Sequence, residues 1–264
     1  MKQLHTLRSR LSGRKRLVIA ASVGVALVAV GAYAFASTSA WSNYHTAYEG
    51  WKTETKQKID AAMALPATTS SERLKKLQSL GKVADTIGSQ GSSMCSLNVL
   101  FSWQSGMNAN YRGWKENCQD IVSSVQSLNE VLKDSISYEK DEQALASTLV
   151  LPLGATAKKI TEAGFASINA KWQVAAATIK KMKIASSSFS SVQVKAQSVT
   201  SGISTAWKAL IAAHTSKDET AYTKALKTLN TAYASVNDIK AESSLQFTKL
   251  SNKVQAQYAN TFSV

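Results

Sequence analysis

The residues able to do chemistry in this chain are few. Cys95 and Cys118 are its only cysteines, and His5, His45 and His214 its only histidines. Neither His45 nor His214 adjoins an H-E-x-x-H helix, a serine-nucleophile motif or a second ligand at metal spacing. Acidic residues follow helical salt-bridge spacing, and no carboxylate pair suggests glycoside hydrolysis. Glycine-rich phosphate loops are missing. The reading is of a non-enzymatic protein with no catalytic, cofactor-binding or metal site.

The cysteines lack the C-x-x-C spacing that lowers a thiol pKa, so a structural disulfide is expected between them. Their midpoint falls between Gly106 and Met107, inside the polar stretch SGMNANYRG. If that stretch turns an antiparallel helical hairpin, Cys95 and Cys118 stand at equal heights on facing helices. Closing the loop would stabilise the fold by roughly 3 kcal/mol through chain entropy.

The next chemically pointed feature is positive charge. The formal net charge is +14. Lys2, Arg8, Arg10, Arg14, Lys15 and Arg16 carry +6 of it before residue 37, where no acid occurs. Beyond the leader only Arg73 and Arg112 are arginines. Lysine is a hydrated point charge without the fork that reads bases, so sequence-specific nucleic-acid binding is not expected. Lys158, Lys159, Lys171, Lys180, Lys181, Lys183 and Lys195 face a single acid, Glu162, over that span. This run is either a solvated face or a docking surface for a polyanion. The six tryptophans and eight tyrosines mostly fall on apolar stripes and read as core; an aromatic groove for sugars or peptides is the alternative.

The elements that position these residues begin with a leader. After the basic residues 1–16, Leu17 to Ala36 carry no charge, and twenty residues of helix span about 30 Å, the thickness of a bilayer core. The preceding bases keep the N-terminus cytoplasmic and send residues 37 onward across the membrane. The spanning length favours a retained single-pass anchor. Ala34-Phe35-Ala36 is an A-x-A motif, so cleavage between Ala36 and Ser37, with secretion, is the alternative.

Beyond the leader, apolar residues recur every three or four positions, as in amphipathic helices. Trp41, Tyr44, Tyr48, Trp51, Thr55 and Ile59 make one stripe, and Cys118, Ile121, Val125, Leu128 and Leu132 another. A third runs Ile160, Gly164, Ile168, Trp172, Ala175, Ile179 and Met182. Phe189, Val192, Ala196, Val199, Ile203, Ala206, Leu210 and Ala213 keep the seam of coiled-coil packing. Ser70 or Ser71 is the expected cap of one helix, and Ser216 with Glu219 the capping box of the last. The last stripe, Tyr222 to Tyr258, predicts one helix from 217 to about 260, roughly 65 Å long, with a fault in register at Lys240. Only two prolines interrupt the chain, Pro66 and Pro152.

The expected fold class is all-α: an elongated helical bundle of long, coiled-coil-like helices behind one N-terminal transmembrane or signal helix. Residues 1–16 are a cytoplasmic segment, 17–36 the anchor, 37–151 a helical half with the cysteine hairpin, and 155–264 a second helical half. The apolar stretch 144–157 around Pro152 and Gly154 marks the boundary. The expected function is that of a membrane-tethered envelope protein binding a protein partner or an anionic surface polymer. A pore-forming or membrane-inserting effector, with residues 144–157 as its apolar tongue, is the alternative.

Overall fold

The computed structural model describes residues 42–65, 67–95, 109–154 and 162–262. Every regular element among them is helical, with no strand. Helix α1 covers 42–63 and α2 covers Ser70–Cys95. The 46-residue α3 covers Ala109–Gly154, a length of about 69 Å at 1.5 Å per residue. Then come α4 (Glu162–Lys181), a 3₁₀ turn at Ser187–Phe189, α5 (Ser190–Thr215), α6 (Glu219–Ala234) and α7 (Val236–Phe262). None of these helices is long and apolar enough to cross a membrane. The expected span 17–36, the Ala36–Ser37 junction, the turn at Gly106 and Lys158 and Lys159 lie outside the described residues.

The helices belong to two compact units: residues up to Thr55 with Met94–Glu116, and Lys56–Ser93 with Asn117 onward. In the first, Tyr48 packs on Trp51 and meets the Trp114 ring edge-on, with centroids 5.9 and 6.0 Å away. All three side chains are buried, and burial pushes the Tyr48 phenol pKa upward.

In the second unit α2 and α3 run antiparallel. Gln143 Nε2 donates to Ser70 Oγ at 3.1 Å, Asn129 Nδ2 donates to Asp85 Oδ1, and a Cβ on Gly88 would touch Val125. Ser70 with Gln143, and Gly88 with Val125, are symmetric about the midpoint between Gly106 and Met107. That is the register inferred from the cysteine spacing. Cys95 and Cys118 are both disulfide-bonded, and neither is free.

The core of this unit is built where the stripes converge. Ile168, Trp172 and Ile179 of α4, Val192, Ala196, Ile203, Trp207 and Leu210 of α5, and Leu229, Val236, Ile239 and Leu250 from α6 and α7 form one cluster with Tyr138, Leu145 and Leu149 of α3. Two buried indoles share one acceptor: Trp172 Nε1 and Trp207 Nε1 each donate to the Tyr233 hydroxyl at 2.9 Å. One phenol thereby joins α4, α5 and α6 and satisfies two donors that would otherwise be buried unpaired.

Several local expectations are corrected. The cap of α2 is Thr69, not Ser70 or Ser71: Thr69 Oγ1 accepts from Glu72 N at 3.2 Å, while Glu72 accepts from Thr69 N at 2.9 Å. This is a reciprocal capping box. The cap of α6 is Asp218, whose carboxylate accepts from Ala221 N at 2.9 Å, in place of the Ser216–Glu219 pair. The last helix is two. It breaks at Ser235, between Ala234 and Val236, and the stripe continues through buried Ile239 while Lys240 is exposed. Pro152 stands inside the final turn of α3 rather than ending it. Leu145, Leu149 and Pro152 are buried there, while Val150 is 64% exposed.

Candidate functional site

The basic run lies on α4 and the connection that follows. Lys171, Lys180, Lys181 and Lys183 are all exposed, because the buried face of α4 is fixed by Ile168, Trp172, Ala175 and Ile179. Lysines in a last helical turn often serve the unpaired terminal carbonyls. Here a glutamine serves them instead, as Gln193 Nε2 donates to the Ile179 and Met182 carbonyls at 3.0 and 2.8 Å. The connection is held from below by two aspartates of α3. Asp141 accepts from the backbone N–H of Ala185 and Ser186, both at 2.9 Å. Asp134 accepts from the hydroxyls of Ser186 and Ser188, both at 2.7 Å.

Acids of α3 are therefore tied to backbone and hydroxyl donors of the connection, while the lysines are exposed. Among the described residues no carboxylate pairs with Lys171, Lys180, Lys181 or Lys183. Lys195 differs, its Nζ standing 3.5 Å from Asp238. Beside Lys171 a groove of about 510 Å³ runs between α3 and α4, bordered by Ser147, Thr148, Ser167 and Thr178 hydroxyls and by Val174.

A second constellation, unforeseen from sequence, joins α2, α3 and α7. Glu139 is fully buried. Its carboxylate accepts from Arg73 Nε at 2.5 Å, Arg73 Nη2 at 3.2 Å and Ser70 Oγ at 2.9 Å. The same Nη2 donates to Glu142 at 2.9 Å. Glu142 also accepts from Ser243 Oγ at 2.5 Å, and the Tyr138 hydroxyl donates to the Ser243 carbonyl at 2.8 Å. Burial is the main cause that pushes the Tyr138 pKa up to about 12, with Glu142 and Glu139 adding to it. Each carboxylate is answered by donors inside the network, as a buried charge requires. No local sequence pattern could announce this, since the partners are separated by 66 positions or more.

The guanidinium of Arg73 also covers the Phe247 ring, 4.8 Å from its centroid. On one side of that pair is a cavity of about 390 Å³, lined by Leu145, Leu149 and Val150 of α3 and Val236, Ile239 and Ser243 of α7, with Lys240 at its edge. On the other is a smaller one of about 200 Å³, bordered by Leu77, Leu80, Leu250 and Val254.

His214 lies between the rings of Phe165 and Tyr222, with centroids 5.7 and 6.0 Å away, and His45 is exposed on α1. Trp172 and Trp207 belong to the core. Among the described residues no three His, Cys, Asp or Glu side chains gather as a metal site would require. Comparison with protein-family models, with curated proteins and with solved structures gives no match, so the reading of function rests on this chain's own residues.

Proposed function

We propose that this chain is a non-enzymatic, membrane-tethered helical-bundle protein of the cell envelope. Residues 17–36 hold it in the membrane with the N-terminus cytoplasmic, and residues 37–264 stand outside the cytoplasm. Its binding surface is the exposed lysines at the end of α4, Lys180, Lys181 and Lys183, with Lys171 on the flank of the helix opposite Lys180, and its partner an anionic surface polymer or the acidic face of a protein. The observation that carries this reading is that Lys171, Lys180, Lys181 and Lys183 are exposed and, among the described residues, unanswered by carboxylates, while Gln193 serves the helix end. Hydrated cations attract polyanions without geometric selectivity, so the expected binding is salt-sensitive and tolerant of polymer sequence.

The pore-forming alternative ranks below it because Leu145 and Leu149 of the proposed tongue are buried on α3.

Two measurements test the proposal. Full-length protein in neutral-lipid discs is titrated with an anionic wall polymer at rising salt. Binding should be measurable at low ionic strength and fall several-fold in the K180Q/K181Q/K183Q variant; no binding, or no change in the variant, leaves the lysines a solvated surface. Cell fractionation with N-terminal sequencing tests the tether. Full-length chain in the salt-resistant membrane fraction is expected, whereas a chain starting at Ser37 in the medium would replace the tether by secretion.

A further inference from the structure

The 390 Å³ cavity between α3 and α7 has a composition that selects its occupant. Leu145, Leu149, Val236, Ile239 and Phe247 give it branched aliphatic walls and one ring. Most of its polar lining groups are already committed, Arg73 to Glu139 and Glu142 and Ser243 to Glu142, which leaves the Ser244 hydroxyl and Lys240. They offer little to a sugar, nucleotide or polar peptide. At the outer edge Lys240 is exposed, and among the described residues no carboxylate pairs with it.

Size narrows the choice. One turn of α-helix, about 10 Å across and 5.4 Å tall, fills roughly 420 Å³, so the cavity takes in no more of a partner helix than a few of its side chains. The volume instead falls at the small end of the ~300–1,000 Å³ common for small-molecule sites. An apolar interior of this size with one cation at its mouth matches a single hydrocarbon chain ending in an anion. We infer that this cavity binds a single-chain amphiphile with a carboxylate head: the chain between α3 and α7, the head beside Lys240. The Arg73–Phe247 pair closes the inner end and limits the length of chain accepted. The inference draws on the cavity alone and does not depend on what the α4 lysines bind.

Full-length protein in lipid discs is irradiated with a diazirine-bearing fatty acid, and the adducts are mapped by mass spectrometry. Adducts are expected on Leu145–Val150 and Val236–Phe247. Excess unlabelled fatty acid should suppress them, and the alcohol of equal chain length should do so at least fivefold less well. Lys240→Glu and Val150→Glu, both at exposed positions, should each reduce these adducts about tenfold while leaving the thermal unfolding midpoint unchanged. The inference is overturned by adducts confined to residues 17–36, by suppression equal for acid and alcohol, or by labelling that both variants leave intact.

Discussion

Arg73 reaches from α2 to Glu139 of α3 and places its Nε 2.5 Å from a carboxylate wholly withdrawn from solvent. Such a pair holds the two helices in one register, yet its net stabilisation is small because Glu139 has left water wholly and Arg73 in large part. Breaking it on one side is another matter. Arg73→Leu should lower unfolding free energy by about 3–5 kcal/mol, the cost typical of an uncompensated buried charge. Arg73→Leu with Glu139→Leu should recover most of that loss. Urea unfolding of the four members of the cycle checks this, and a double variant no better than the single one would contradict it.

The Tyr233 hydroxyl is the shared acceptor of two indoles. Tyr233→Phe leaves two buried N–H donors without a partner, at a cost of roughly 1–3 kcal/mol for each. The expected signature is a loss of at least ~2 kcal/mol in chemical unfolding together with a change in tryptophan near-UV circular dichroism.

Lys217 has a φ of 55°, in the left-handed region. Its N–H bonds the His214 carbonyl at 3.1 Å and that of Asp218 bonds Ala213 at 3.2 Å, the paired bonds of a helix end usually closed by glycine. Lys217→Gly should therefore raise stability, by about 0.5 kcal/mol after the greater entropy of unfolded glycine is counted. A lowered unfolding midpoint would show that the lysine side chain itself stabilises the turn.

Acid and alkali should act at different places. Hydrogen bonds from Thr68 and Thr69 hold the Glu72 pKa down at about 2. A depressed carboxyl contributes stability above its unfolded pKa and loses it as pH falls through the folded value. The α2 cap should thus weaken between roughly pH 4.5 and 2, and Glu72→Gln should flatten the stability profile there. Tyr138, raised to about 12 chiefly by burial, behaves oppositely. Its contribution is complete below the unfolded tyrosine pKa and is lost as pH rises from roughly 10 towards 12. Tyr138→Phe should remove that alkaline slope.

Reduction of the Cys95–Cys118 disulfide removes the covalent link between α2 and α3. The chain-entropy model gives a loss of about 3 kcal/mol. Cys95→Ser with Cys118→Ser should show the same loss without reductant, and an unreduced digest of the parent protein should yield the linked peptides.

Residue spacing alone determined which faces of these helices are apolar. Ile121, Val125, Leu128 and Leu132 are buried as their steps of three and four require, as are Phe189, Val192, Ala196, Val199 and Ile203. The cysteine symmetry likewise set the α2–α3 register, since Ser70 with Gln143 and Gly88 with Val125 are symmetric about the same midpoint as Cys95 and Cys118. The exposure of the α4 lysines follows from the same periodicity, since the positions between buried ones must face outward.

Tertiary structure decided the rest. The break at Ser235 has no glycine or proline to mark it; it separates Tyr233, bonded to Trp172 and Trp207, from Val236 and Ile239 in the core. Thr69 and Asp218 became caps, instead of neighbours with equally suitable side chains, because of where the packed helices begin. Glu139 and Asp141 look in sequence like surface acids of a solvated helix. Their burial is set by Arg73 and by the backbone at Ala185 and Ser186, partners 66, 44 and 45 positions away. The cavity edged by Lys240 follows from the distance between α3 and α7, a spacing fixed by packing across the whole unit.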